Sequence, residues 1–228
     1  NIEANLLNGI RLLNTKFNFF ADKEDILIKK FFGKIENIKI NDGDLKLNFN
    51  NGIKLNSNFN TQVNLRDKNL DKFKNILEKF DFTKRIKNVS GEFNNNISLN
   101  FDDTLKLIDY DYNIFGKLDN STIKVLKSFN NNIIKDKIED LHLSDIQIKS
   151  NLSPKKLSIV GEGKYSFNNL NFLELKLDCS LKKDLLKINA NFDYGGNFDL
   201  DLINYKKPKD DIANVSIEFE KNKNISYI

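Results

Sequence analysis

The chain has 228 residues, with 36 Lys plus Arg against 32 Asp plus Glu and a formal net charge of +4. A mean hydropathy of -0.49, with no apolar run approaching the ~18 residues a spanning helix needs, excludes a transmembrane helix within the sequence. One cysteine and one histidine exclude an internal disulfide framework, a zinc site of the usual type and a redox CxxC pair.

Lys alternates with Asp and Glu along the whole chain instead of forming a basic stripe, so no nucleic-acid partner is expected. Asn supplies roughly one residue in six, and Arg occurs only at Arg11, Arg66 and Arg85. Asn, Lys, Ile and Phe share A/T-rich codons, which points to an AT-rich genome. Met is absent, including at position 1, as in a processed product or an excised piece of a longer chain.

In chain order, the first apolar spacing is helical. Leu6, Leu7, Ile10 and Leu13 share a helix face over 3–13. Beyond it the period drops to two. Leu45, Leu47 and Phe49, then Ile53, Leu55, Ser57, Phe59, Val63 and Leu65, alternate with Lys46, Asn48, Lys54, Asn56, Asn58, Asn60 and Asn64. A strand sends successive side chains to opposite faces, so this spacing makes one apolar face and one polar face. Leu70, Phe73, Ile76, Leu77 and Phe80 return to helical spacing and predict an amphipathic helix over 68–81, lying across a sheet.

Period-2 spacing resumes at Phe93, Ile97, Leu99, Phe101, Leu105 and Leu107, and runs through Tyr110, Tyr112 and Ile114. Ile133, Ile134 and Ile138 suggest a further short helix over 130–139. Strand spacing then continues to the end: Leu141 to Ile148, Leu157 to Phe167, and Leu173, Leu175, Leu177, Cys179 and Leu181. Ile188, Ala190, Phe192 and Tyr194 follow, then Phe198, Leu200 and Leu202, then Val215, Ile217 and Phe219. Turns are predicted at Asn41-Asp42-Gly43, Asn50-Asn51-Gly52 and Gly195-Gly196-Asn197, whose residues tolerate positive φ. Shorter polar breaks fall at Asp102-Asp103, Asp119-Asn120, Asn168-Asn169 and Lys182-Lys183-Asp184.

The fold class expected is mostly β: a long, curved antiparallel sheet, groove-like and taco-shaped, with one or two short amphipathic helices. The 228 residues are read as a single extended unit. Twelve to fourteen strands at ~4.8 Å spacing span ~60 Å, and an apolar face of that size needs a covering. Two face-packed sheets would cover each other, as in an adhesive sandwich or a solenoid with a self-filled core. A single sheet would leave the face to a lipid acyl chain. The residues expected to line such a groove are Leu45, Leu47, Phe49, Leu55, Phe59, Leu99, Phe101, Leu105, Leu107, Leu173, Leu175, Leu177, Ile188, Phe192, Phe198 and Leu200. An outer-membrane barrel is disfavoured by the absence of Trp and by a helix between strands.

The stretch from Phe31-Phe32-Gly33 through Asn41-Asp42-Gly43-Asp44 to Leu47 is a strand, a glycine, a second strand and an apolar alternation. With Asn88-Val89-Ser90-Gly91-Glu92-Phe93 after the amphipathic helix, and Gly161-Glu162-Gly163 before Tyr165 and Phe167, it resembles the repeating units of the AsmA-like family of the Gram-negative envelope. The resemblance implies a hydrophobic β-groove that carries phospholipid between inner and outer membranes. It further implies a periplasmic location, an N-terminal inner-membrane anchor missing from this sequence, and sheet edges that continue into the rest of the same chain. The family supplies no catalytic residues, so no enzymatic activity and no cofactor are expected.

The residues themselves offer little catalysis. His142 lies between Leu141 and Leu143, hence on the polar face, with no Ser or Cys at nucleophile spacing. Cys179 alternates with Leu177 and Leu181 and reads as a small apolar residue. Asp42/Asp44, Asp102-Asp103 and Asp210-Asp211 match no calcium-loop pattern and read as solvated turns. The pairs Lys29-Lys30, Lys155-Lys156 and Lys206-Lys207 read as soluble surface.

Overall fold

The computed structural model describes residues 2–5, 10–50, 52–74, 85–125, 134, 136–209, 211–222 and 225–227. Alternation of β-branched and aromatic residues with Asn and Lys produces strand almost throughout. The strands are β1 (Ile2–Asn5), β2 (Arg11–Ala21), β3 (Asp25–Ile35), β4 (Ile38–Asn48), β5 (Ile53–Arg66), β6 (Ile86–Phe101), β7 (Leu107–Lys124) and β8 (Asp140–Ser153). They continue as β9 (Lys156–Phe167), β10 (Leu173–Lys182), β11 (Leu185–Tyr194), β12 (Phe198–Leu200), β13 (Tyr205–Lys207), β14 (Ala213–Asn222) and β15 (Ile225–Tyr227). Thirteen of them form one antiparallel sheet in the order β1 to β11, β14, β15, while β12 and β13 make a separate hairpin. Each strand pairs with its chain neighbours, so the sheet is a meander. Its two ends do not meet, and at ~4.8 Å per step it runs ~58 Å across the strands.

Among the described residues there is one α-helix, α1 (Asp67–Lys74), between β5 and β6. It matches the start of the expected 68–81 helix; residues 75–81 lie outside the described part. Leu70 is buried, and Lys72 Nζ reaches the Glu36 carboxylate at 2.9 Å, tying the helix to the β3–β4 turn. The described residues of the helix expected over 3–13 are instead largely strand: Ile2–Asn5 and 11–13 pair with each other through Ala4↔Leu12 and Asn5↔Arg11, and residues 6–9 lie outside the described part. Local spacing loses there to an available neighbouring edge. Over 130–139 the described residues are not helical either, since Ile134 bridges Phe198 and 136–139 are irregular; residues 130–133 and 135 lie outside the described part.

Two expected turns are something else. Asn41-Asp42-Gly43 lies inside β4, where Asp42 has φ 49° and the β4–β5 register slips between Asn41 and Asp44. A bulge asks for the same left-handed residue that a turn does, so the sequence signal is shared; the true β3–β4 turn is at Glu36, φ 52°. Asp119-Asn120 likewise falls within β7, beside a slip at Ser90/Gly91. Bulges form two lines across the sheet. Asn14, Lys30 and Asp42 mark β2, β3 and β4, and Asp145 marks β8, where Lys117 pairs with Asp119 and Asp145. Each bulge bends its strand and increases the twist, which curves the sheet. Gly163 fits the second line: a Cβ there would come within 2.5 Å of the bulged Asp145 carbonyl oxygen.

The strand connections are asymmetric. At one rim they are tight, at 22–24, 49–52, 102–106, 154–155 and 183–184. At the other rim lie all the long ones: 67–85 with α1, 125–139, and 195–212 with β12 and β13.

Candidate functional site: the uncovered apolar face

In an antiparallel ladder, directly opposed residues share a face. One row runs Phe19, Ile28, Leu45, Ser57, Ile97, Tyr112, Leu152, Leu157, Leu181, Leu186 from β2 to β11, with Ser57 and the Tyr112 hydroxyl its only polar groups. On the opposite face the row Asp44, Asn58, Asn96, Asn113, Asn151, Ser158, Ser180, Lys187, Glu220 carries no apolar side chain. The Asn-rich composition is thus concentrated on one side. There Asn94 donates to Asn60 at 2.8 Å, Asn151 donates to Asn113 at 2.9 Å and Lys176 pairs with Glu162 at 2.9 Å. His142 lies on this polar face, half-buried, 3.1 Å from the Thr122 hydroxyl.

Of the expected groove residues, Leu45, Leu47, Leu55, Phe59, Leu99, Phe101, Leu107, Leu173, Leu175, Leu177, Ile188 and Phe192 share the single apolar face. Phe49 lies just past β4, its N–H bonded to the Glu24 carbonyl at 2.9 Å. Leu105 is displaced into the β6–β7 turn, with φ 64° and 66% of its surface exposed. Phe198 and Leu200 leave the sheet for the β12–β13 hairpin, because Gly195-Gly196 opens a long excursion where alternation predicted a tight turn.

Among the described residues no second sheet covers this face. Substantial contacts between described elements are limited to hydrogen-bonded neighbours, α1 with β5 and β6, and β13 with the turn preceding it. Apolar side chains buried on the face are Leu65, Leu118, Ile146, Tyr165 and Tyr194, and the remainder are partly or fully exposed. The accessible surface is 15483 Å², against about 10,600 Å² for an ordinary globular protein of this mass. Asn95 is among the polar groups buried on this face, and its amide is satisfied. Asn95 donates to the carbonyls of Phe59 and Phe93 at 3.2 and 3.1 Å and to Thr61 Oγ1 at 3.1 Å, and accepts from the Tyr112 hydroxyl at 2.8 Å. Sequence spacing gave no sign of this knot, since an Asn among so many reads as polar surface.

Hollows mark the face. One of ≈ 180 Å³ is lined by Ile28, Phe31, Ile40, Leu45 and Phe59. A larger one of ≈ 520 Å³ lies at the long-connection rim, over Tyr165, Phe167, Leu173 and Tyr194 and under Asp136–Ile138 and Gly195-Gly196. Its floor is an aromatic cluster, with Tyr165 edge-on to Phe167 and Phe192 at 5.1 and 5.7 Å. Burial pushes the Tyr194 phenol up to about 12, with the Asp136 carboxylate adding to the shift, and burial also raises Tyr165 well above the usual range. A shallow hollow of ≈ 360 Å³, bordered by Leu27, Asn56, Asn58, Asn96, Asp111 and Asn113, opens on the other side.

Among the described residues no cluster of His, Cys, Asp and Glu is placed to hold a metal ion, and no helix is long and apolar enough to cross a membrane. Fold and face together define an open, single-layer antiparallel meander with one apolar and one polar side. No family model, no curated protein and no solved structure matches the chain.

Proposed function

We propose that the chain is a segment of a lipid conduit, a non-enzymatic β-groove that carries phospholipid acyl chains across an aqueous gap on its apolar face. The observation that carries this reading is the row from Phe19 to Leu186, which spans ten strands, is apolar at all but Ser57 and the Tyr112 hydroxyl, and is covered by no other layer among the described residues. Such a face in water is costly, and the usual remedy is a partner. An acyl chain suits it because plain Leu, Ile and Phe surface takes hydrocarbon without selecting a headgroup. At ~0.8 kcal/mol per buried CH₂, a sixteen-carbon chain gains ~12 kcal/mol over water. An unbroken path lets a chain slide while keeping most of that gain.

The setting that goes with this reading is the periplasm of a Gram-negative cell, with the conduit joining inner and outer membranes as in the AsmA-like proteins it resembles. The sheet edges are suited to continuation. Lys16–Ala21 of β2 has no partner on its outer side, and neither has Ala213–Phe219 of β14, among the described residues. Such edges template further strands; in this reading those are strands of the same polypeptide.

The test is transfer of a labelled phospholipid between vesicles, with lipid extracted from the purified chain measured alongside. Leu175→Asp and Leu177→Asp place carboxylates on the path and are expected to abolish transfer while circular dichroism stays unchanged. Transfer at the parent rate in both folded variants removes these residues from the path. A lipid-free chain that takes up no hydrophobic probe favours instead a structural or adhesive β-protein.

A further inference from the structure

The open face has one covered stretch. At the β9–β11 end, the segment 136–138, the Gly195-Gly196 turn, Lys209 and Ile212 roof over Tyr165, Phe167, Leu173 and Tyr194 to bound the ≈ 520 Å³ hollow. That volume lies within the ~300–1,000 Å³ of small-molecule sites. The roof is pinned: Asn197 N–H donates to Asp136 Oδ2 at 2.9 Å, and Ile134 bridges Phe198. Buried Lys207 holds the far side, donating to the carbonyls of Gly196 and Pro208 at 2.8 and 2.9 Å, with its ammonium 5.7 Å from the Tyr194 ring centre. The floor continues into the apolar face through Leu173.

At the mouth the lining turns amphipathic. Leu170 and Ile212 are 62% and 63% exposed, and beside them Lys209 is exposed and forms no ion pair among the described residues. The other acid and base in the lining are engaged: Asp136 accepts from Asn197, and Lys137 pairs with Glu139.

We infer that this hollow is a capture site for one long-chain fatty acid, the hydrocarbon lying on Tyr165, Phe167 and Leu173 and the carboxylate meeting Lys209. The inference deepens the conduit reading by giving the groove a terminal holding site, and rests on it for its biological sense. Enclosure gives the chain walls on several sides, whereas the open face offers one. A chain here is therefore held longer than a chain in transit.

The test is a fluorescence titration of the full chain with cis-parinaric acid, a linear fluorescent fatty acid. One saturable site is expected. Ile212→Glu changes a well-exposed residue, so the fold is not at risk, and its carboxylate at an apolar mouth is expected to weaken binding about tenfold. Lys209→Glu should weaken it about two- to fivefold, less at high salt. Val160→Glu, the same kind of apolar-to-acid change at an exposed position on the polar face, should leave the site unchanged. The inference is overturned if Ile212→Glu binds like the parent, or if Val160→Glu loses as much. Vesicle transfer reports the conduit reading separately: loss of transfer with parinaric binding intact sinks the conduit and not the pocket.

Discussion

Removing one leucine from the face discriminates an open layer from a closed core. Leu177 on β10 is opposed by Gly161 on β9 and Ala190 on β11, so its side chain is flanked by small residues and is half-buried. Leu→Ala in a sealed core costs ~2–5 kcal/mol, because the void adds about 24 cal/mol per Å³ to the transfer loss. On an open face water fills the gap and only the transfer loss remains. Three carbons at ~0.8 kcal/mol each give ~2.4 kcal/mol if fully shielded, and the partial exposure of Leu177 lowers this to about 1.5–2 kcal/mol. Ile146, 4% exposed against Gly161, is the internal control, and Ile146→Ala should cost about 2–4 kcal/mol. Urea unfolding monitored by circular dichroism measures both, with a common m-value confirming that the unfolded states are alike. A loss of 3 kcal/mol or more at Leu177, matching Ile146, would mean that a layer covers β10 and would refute the open-face reasoning.

Further outcomes follow from the same geometry. Asn95→Ala should destabilise by about 1–3 kcal/mol in urea melts, because the Tyr112 hydroxyl and two carbonyls lose their partner; a neutral result would mean that water replaces the amide. Tyr165 and Tyr194 keep their protons above the ordinary phenol range, so the unfolded chain releases them first. Stability is therefore fully present below pH ~10, the unfolded phenol value, and declines as pH rises toward the folded value of about 12 for Tyr194. Phenolate absorbance in the native state should lag that of the urea-unfolded chain, and coincident curves would contradict the burial. Phe20→Lys and Ile217→Lys, at the two unpartnered edge segments, should reduce self-association in light scattering by making strand addition unfavourable.

Much of the architecture is written in period-2 spacing. The faces of β5, β6, β10 and β11 follow directly from Leu, Ile and Phe alternating with Asn and Lys, and most expected groove residues share one side for that reason. What spacing misses is set by partners distant in sequence. The stripe of Leu6, Leu7, Ile10 and Leu13 looks helical, but Arg11–Leu13 is held as strand by β1 and β3. Asn41-Asp42-Gly43 looks like a hairpin because bulge and turn both need a left-handed residue; only the neighbouring register separates them. Phe198 and Leu200 alternate like sheet residues, yet they pair within their own hairpin. The hollow at the long-connection rim is illegible for the same reason, since its lining is gathered from stretches spread between Asp136 and Ile212.

The chain's single cysteine gives the most direct test of the central claim. Cys179 lies on the apolar face between Leu177 and Leu181, partly exposed, its thiol held above the usual range by burial. Its alkylation by a small maleimide at several urea concentrations below the unfolding transition asks whether that face is reachable in the folded state. An open groove predicts native labelling at a rate independent of urea, slowed when phospholipid occupies the face. Labelling that occurs only in step with global unfolding, and is indifferent to lipid, would contradict the account.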